Sequence, residues 1–189
     1  MKQFIVIILI GLSLTACEEE KIIPKPPTYL RLELPDHTYV SYEDDCGYKF
    51  DISSLYKVEK SPEENGSTCH KRIQLGPLNG TIYLRYWEIN DSLAYYINSA
   101  NDEVDKHKLK AENIIDEKVL RPEDKVYGTF FELTGDVATP FQFYLTDSTD
   151  RFVYGEVLFN STPNYDSLRP TLEYLKADLK QFTGTLQWK

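Results

Sequence analysis

The sequence predicts an α+β fold: an antiparallel β-sheet with helices packed on it, forming one domain after a signal peptide and a tether. Three observations carry this expectation. Several short segments alternate apolar and polar residues, the mark of half-buried strands. Two other stretches space their apolar residues three and four apart, the mark of a helix with one buried face. The strand-like segments come in runs joined by short polar turns rather than alternating with helices, which favours antiparallel pairing.

Taken in order, residues 29–34 (YLRLEL) read as the first strand, with Leu30, Leu32 and Leu34 opposite Tyr29, Arg31 and Glu33. Residues 48–52 (YKFDI) and 71–75 (KRIQL) read as short strands. Residues 80–87 (GTIYLRYW) alternate again, setting Ile82, Leu84 and Tyr86 against Tyr83, Arg85 and Trp87. Asp91 and Ser92 supply a helix cap. Beyond them Leu93, Ile97, Ala100, Val104, His107 and Ala111 follow one helical face, as one helix or as two broken near Asn101 and Asp102. Residues 111–120 (AENIIDEKVL) fit either a helix end or a strand. The segments 126–133, 141–146 and 152–159 are rich in aromatic and β-branched residues, with turn residues between them, and read as hairpin-linked strands. A closing helix starts at Asp166, takes Pro170 in its first turn, buries Leu168, Leu172, Leu175, Leu179 and Phe182, and stops at Gly184.

The N-terminus has its own logic. Lys2 precedes the apolar run 4–12 (FIVIILIGL), which is too short to span a bilayer that needs about 20 residues. Leu14, Thr15 and Ala16 then lead into Cys17, a pattern that looks like a bacterial lipobox. That resemblance implies cleavage after residue 16, a diacylglycerol on the Cys17 sulfur and an acyl chain on its new amine. Glu18, Glu19 and Glu20 read as a solvated spacer, because anionic headgroups repel them. An acidic run at this place resembles the signal that sends Bacteroidetes lipoproteins to the cell surface, and reads equally as a plain polar linker. The segment 17–27 is therefore a lipidated, Pro-rich tether. At about 3.1 Å per residue for extended polyproline chain, it holds the domain, residues 28–189, up to roughly 30 Å from the lipid.

Bulk composition narrows the function classes. The chain carries 21 basic and 30 acidic side chains for a net charge of −9, and removing residues 1–16 takes away only Lys2. Such a balance argues against nucleic acid and against electrostatic adhesion to anionic membranes, which leaves the lipid as the anchor. Cys46 and Cys69 remain as a pair in an exported, oxidising compartment, and predict a disulfide worth about 3 kcal/mol. A zinc site would need a further Cys or His pair, and His70 beside Cys69 is too little.

No motif calls for a cofactor: P-loop, dinucleotide fingerprint and His-Glu-x-x-His are all missing from the sequence. His107 lies in register with the apolar stripe and reads as an inward, hydrogen-bonded residue rather than a catalyst. Asp147 and Ser148 would complete a triad with it only on paper, since the sequence has no Gly-x-Ser-x-Gly elbow. Aromatic residues are abundant, with 14 Tyr, 9 Phe and 2 Trp. Tyr83, Trp87 and Tyr144, with the loop residues Asp147 and Ser148, form the candidate interaction surface, as a platform for a sugar or a hot spot for a protein. Asp-Ser pairs at 91–92, 147–148 and 166–167 resemble the O-glycosylation motif of exported Bacteroidetes proteins, though two of them also read as helix starts.

Five segments carry a wider resemblance: 24–35 (PKPPTYLRLELP), 78–86 (LNGTIYLRY), 107–114 (HKLKAENI), 126–159 (VYGTFFELTGDVATPFQFYLTDSTDRFVYGEVLF) and 163–179 (PNYDSLRPTLEYLKADL). In these segments the chain resembles the gliding motility lipoprotein GldD family of Bacteroidetes. The resemblance implies a component of gliding and of type IX secretion in the outer part of the envelope. Its partners would be other gliding lipoproteins and the periplasmic or outer-membrane parts of that machine. The resulting expectation is a non-enzymatic, lipid-anchored accessory or scaffold. A binder of envelope glycan or peptidoglycan through Tyr83, Trp87 and Tyr144 is the second reading, and a hydrolase built on His107 the third.

Overall fold

A computed structural model describes residues 33–61, 69–90, 92–160 and 165–189, with side chains in the last segment from residue 167 onward. The signal peptide, Cys17, the tether, Asp91 and most of the strand expected at 29–34 lie outside the described residues. Glu33 and Leu34, the end of that expected strand, are irregular chain.

Two antiparallel sheets organise the described residues. A small one has the order β1 (Tyr39–Glu43), β2 (Tyr48–Ser53), β10 (Gln187–Trp188). The large one has seven strands: β3 (Lys57–Lys60), β4 (Lys71–Gln74), β5 (Gly80–Glu88), β9 (Arg151–Phe159), β8 (Phe141–Thr146), β7 (Val126–Gly135) and, at the far edge, β6 (Ala111–Arg121). Helix α1 (Leu93–Asp105) links β5 to β6, and helix α2 (Tyr165–Thr185) follows β9.

Strand alternation sorts the side chains into two layers. Ile82, Leu84, Phe130, Phe141, Phe143, Leu145, Val153 and Val157 point to one face of the large sheet. There they meet Leu172, Leu175, Leu179 and Phe182 of α2, and Tyr48, Phe50 and Ile52 of the small sheet closes the same core. The Phe182 ring lies 4.3 Å from Phe50 and 5.3 Å from Phe143, so the helix, the small sheet and the large sheet meet at one point. Each such side chain, fully buried, contributes roughly 1.5–3 kcal/mol. The reverse face is covered only in part, by α1, which buries just Ala100 and Val104.

Several expectations need correction. The helical stripe ends earlier than its spacing suggests: α1 stops at Asp105, His107 lies in the following turn, and Ala111 opens β6. The ambiguous segment 111–120 is strand, rich in Ile and Val and paired along its length with β7. Pro170 sits inside α2 rather than in its first turn, and Gly184 lies within the last turn. Arg121 of β6 supports the end of α2, donating to Thr183 O (3.2 Å) in its last turn and to Leu186 O (2.9 Å) just past it.

The disulfide expectation holds, with Cys46 and Cys69 joined at a Cα–Cα distance of 5.5 Å. It ties the chain entering β2 to the chain entering β4, and so links the two sheets. Beside it lies Lys71, whose side chain is 0% exposed and whose Nζ sits 2.6 Å from Asp44 Oδ2 and 3.4 Å from Cys46 Sγ. Burial opposes the charge on Asp44, yet the Lys71 ammonium and the Cys46 N–H together hold its carboxyl below the usual carboxylate range.

Candidate functional site

The partly covered face of the large sheet carries a cleft. On β5, Tyr83, Arg85 and Trp87 point to this face, and on β9 Phe152, Tyr154 and Glu156 point the same way. The β5–β9 register sets Trp87 opposite Phe152, Arg85 opposite Tyr154 and Tyr83 opposite Glu156. Helix α1 crosses above. It docks through Ala100 and Val104, and Tyr95, Ser99 and Glu103 of the neighbouring stripe line the space over the sheet. The space between forms a cleft of about 340 Å³, with Trp87, Tyr96, Phe152 and Tyr154 as its apolar lining and Arg85 and Glu156 at its polar end.

The polar end is internally organised. Arg85 Nη1 donates to Glu156 Oε1 at 2.9 Å, and the guanidinium also lies over the Tyr154 ring, 6.0 Å from its centroid. Tyr154 Oη donates to Gln142 Oε1 at 2.9 Å and lies 3.4 Å from Glu156 Oε2. Burial, reinforced by the Glu156 and Glu103 carboxylates, pushes the Tyr154 hydroxyl well above the ordinary tyrosine range, so it stays a neutral donor. Gln142 Nε2 in turn donates to Thr139 Oγ1 at 3.0 Å, and Thr139 Oγ1 lies 2.6 Å from His107 Nε2.

The expected site residues divide sharply against this geometry. Trp87 is in the cleft. Tyr83 shares its face of β5 but is engaged by Arg72, whose guanidinium lies 5.8 Å from the ring centroid. Tyr144 is no free platform: its ring stacks on Phe152 at 5.5 Å, and its hydroxyl is bonded to Thr129 at 3.0 Å. Asp147 is only 6% exposed, and its carboxylate is engaged within its own turn. Its Oδ1 accepts from the backbone N–H of Thr149, Asp150 and Arg151, and its Oδ2 from the Arg151 guanidinium. It organises the β8–β9 turn, and burial, which opposes its charge, is outweighed by those N–H donors, so its carboxyl lies below the usual range. Ser148 is exposed, with a left-handed φ of 72° that the turn imposes. The hydrogen bonds of Asp147 and Ser148 stay within this turn, while those of His107 run to Thr139 and the chain around it, so no triad is assembled.

Tyr95, Tyr96, Ser99, Arg85 and Glu156 line the cleft but lie outside the interaction surface that the sequence predicts. The available signal was the pair of tyrosines at 95 and 96, one stripe over from the apolar face of the helix. Among the described residues, no cluster of three or more His, Cys, Asp or Glu side chains is arranged to hold a metal ion, and no helix is long and apolar enough to cross a membrane.

Comparison with known proteins adds the following. The solution structure of cyanobacterial PsbP (CyanoP) from Synechocystis sp. PCC 6803 is similar at a TM-score of 0.49 and 8% identity, covering 87% of this chain and 100% of that chain. No curated protein matches. A family model described as gliding motility lipoprotein GldD matches residues 19–188.

Proposed function

Because the chain belongs to the GldD family of gliding motility lipoproteins, we propose that it acts as a non-enzymatic, lipid-anchored accessory of the gliding and type IX secretion machinery. The observation that carries this reading is the span of the match, 19–188, which takes in nearly everything beyond Cys17. The apolar run and Leu14-Thr15-Ala16-Cys17 supply the means of anchoring. Acyl chains contribute about 0.8 kcal/mol per buried methylene, so more than one of them holds a protein stably without help from its charge. With a net charge of −9, the chain has no electrostatic hold on an anionic surface. The outer membrane is the compartment proposed, and the partners are other components of the machine. His107 supports a non-catalytic reading, since its Nε2 is taken up by Thr139 in a chain of hydrogen bonds leading to Tyr154.

A clean deletion in the source organism, followed by mass spectrometry of the culture medium, tests the proposal. The expected result is loss of proteins carrying type IX secretion signals, restored by the wild-type copy and not by Cys17→Ala. An unchanged set of secreted proteins overturns the role, and full rescue by Cys17→Ala overturns the need for an anchor.

A further inference from the structure

The large sheet has two edges, and they are built differently. Strand β3 closes one with 4 residues and a lysine at each end, Lys57 and Lys60, the short charged edge that discourages further pairing. Strand β6 closes the other with 11 residues, and among the described residues it pairs with β7 alone. Its outer row of N–H and C=O groups is an open template for another strand. Neither face of β6 is covered: none of its residues is buried, and Ile115 and Leu120, 48% and 68% exposed, lie on opposite faces.

The sequence of β6 is complementary to itself when reversed. A two-fold axis between antiparallel strands runs through the sheet, keeps each face on its own side, and sets one residue opposite its own copy. With Glu117 on the axis, Ile114 meets Leu120, Ile115 meets Val119 and Asp116 meets Lys118, each twice. Opposed side chains share a face, so each of these pairs is a direct contact. Within one copy Lys118 Nζ already lies 3.2 Å from Asp116 Oδ2. Two copies therefore set four charges in a square in which every neighbour has the opposite sign. Glu117 meets Glu117 on the axis, but each carboxylate is held by Lys180 of its own α2. Moving the centre by one residue removes the match. At Asp116 it sets that carboxylate against itself and Ile115 against Glu117, and at Lys118 it sets that ammonium against itself and Asp116 against Leu120.

We propose that β6 pairs with β6 of a second copy of this chain in the register centred on Glu117, continuing the seven-stranded sheet across a two-fold axis. The backbone ladder supplies the pairing, and the side chains fix its register. The axis also keeps both α2 sides together. The chain before residue 33 enters each fold on that side, where Leu34 packs against the main core. Two copies anchored in one bilayer, as proposed above, can then pair without either turning over.

A single cysteine at the axis tests the register. Asp116→Cys, Glu117→Cys and Lys118→Cys are made one at a time in the full chain, purified in detergent and oxidised with copper phenanthroline, with the parent chain as the baseline. Directly opposed Cα atoms stand about 4.5–5.5 Å apart, within reach of a disulfide. Diagonal neighbours at about 7–8 Å are beyond it. The expected result is a covalent, reductant-sensitive dimer for Glu117→Cys and no more than the baseline for the other two. Added to Glu117→Cys, Asp116→Lys or Lys118→Asp should each lose the dimer, because like charges then face each other at both 116–118 contacts. An equal mixture of those two variants should regain it as a heterodimer, identified by its mass. The pair within one copy is broken in both variants, so this recovery reports on the contact between copies. Circular dichroism confirms that each variant is folded. No dimer above the baseline from folded Glu117→Cys overturns the proposal, as does equal dimer from all three positions or a mixture that stays monomeric. In cells, a Glu117→Cys cross-link to a different protein alone overturns the second copy as the occupant of this edge.

Discussion

His107 is half-buried in the turn after α1, and its Nε2 lies 2.6 Å from Thr139 Oγ1. Gln142 Nε2 already donates to that hydroxyl, which leaves the hydroxyl proton free to be donated to a neutral imidazole. Desolvation, the leading cause, lowers the His107 pKa below its ordinary value of 6.5. The unfolded chain therefore takes up this proton at a higher pH than the folded one. The stability tied to neutral His107 is complete above about pH 6.5 and is lost as pH falls from there through the folded pKa. Melting temperature should decline from pH 7 to pH 5 more steeply in the wild type than in His107→Gln, and parallel declines would show that another group is responsible. Two glycines give a sharper contrast. A Cβ on Gly155 would lie 2.2 Å from Phe143 Cζ in the main core, whereas one on Gly184 in α2 meets nothing within 4 Å. Gly155→Ala should cost about 1–3 kcal/mol in urea unfolding, while Gly184→Ala should stabilise by roughly 0.5–1 kcal/mol. Equal effects at the two positions would contradict this packing. The site residues themselves were unevenly legible. Trp87 follows from strand alternation alone, but the burial of Asp147 and the stacking of Tyr144 on Phe152 depend on neighbours that alternation cannot supply.

Among the elements, the long strands β5, β7, β8 and β9 were readable because each is buried on at least one face and its sequence shows it. The short strands β1, β3 and β10 were not. Lys57–Lys60 has a single apolar residue, and Gln187–Trp188 is only two residues long, so their strand character comes from the partner they pair with. The overrun of the α1 pattern has a related cause. Past Asp105 the three-and-four spacing continues by coincidence, while Ile114, Ile115 and Val119 favour pairing with β7. The disulfide belongs to this scale as well, because it joins elements rather than residues. Its sequence separation is 23, for which loop-closure entropy gives about 3 kcal/mol. The double variant Cys46→Ala/Cys69→Ala should lose about that much stability, and a reducing agent should destabilise the wild type without affecting the variant. A reductant effect of similar size in both would place the stabilisation elsewhere.

At the scale of the whole molecule, the seven-stranded sheet divides the protein into two unequal halves. One side carries α2, the small sheet and the disulfide, and holds most of the buried apolar side chains. The other side carries α1 and the cleft, with two small clusters around Val104 and Ala100. The first described residues belong to the α2 side. Leu34 packs against the main core, Tyr174 Oη donates to Pro35 O at 3.0 Å, and the His37 ring stacks on Tyr174 at 4.0 Å while its Nδ1 lies 2.6 Å from Asp178. Whatever precedes residue 33 therefore joins the fold on its α2 side, and the cleft lies on the other side of the large sheet.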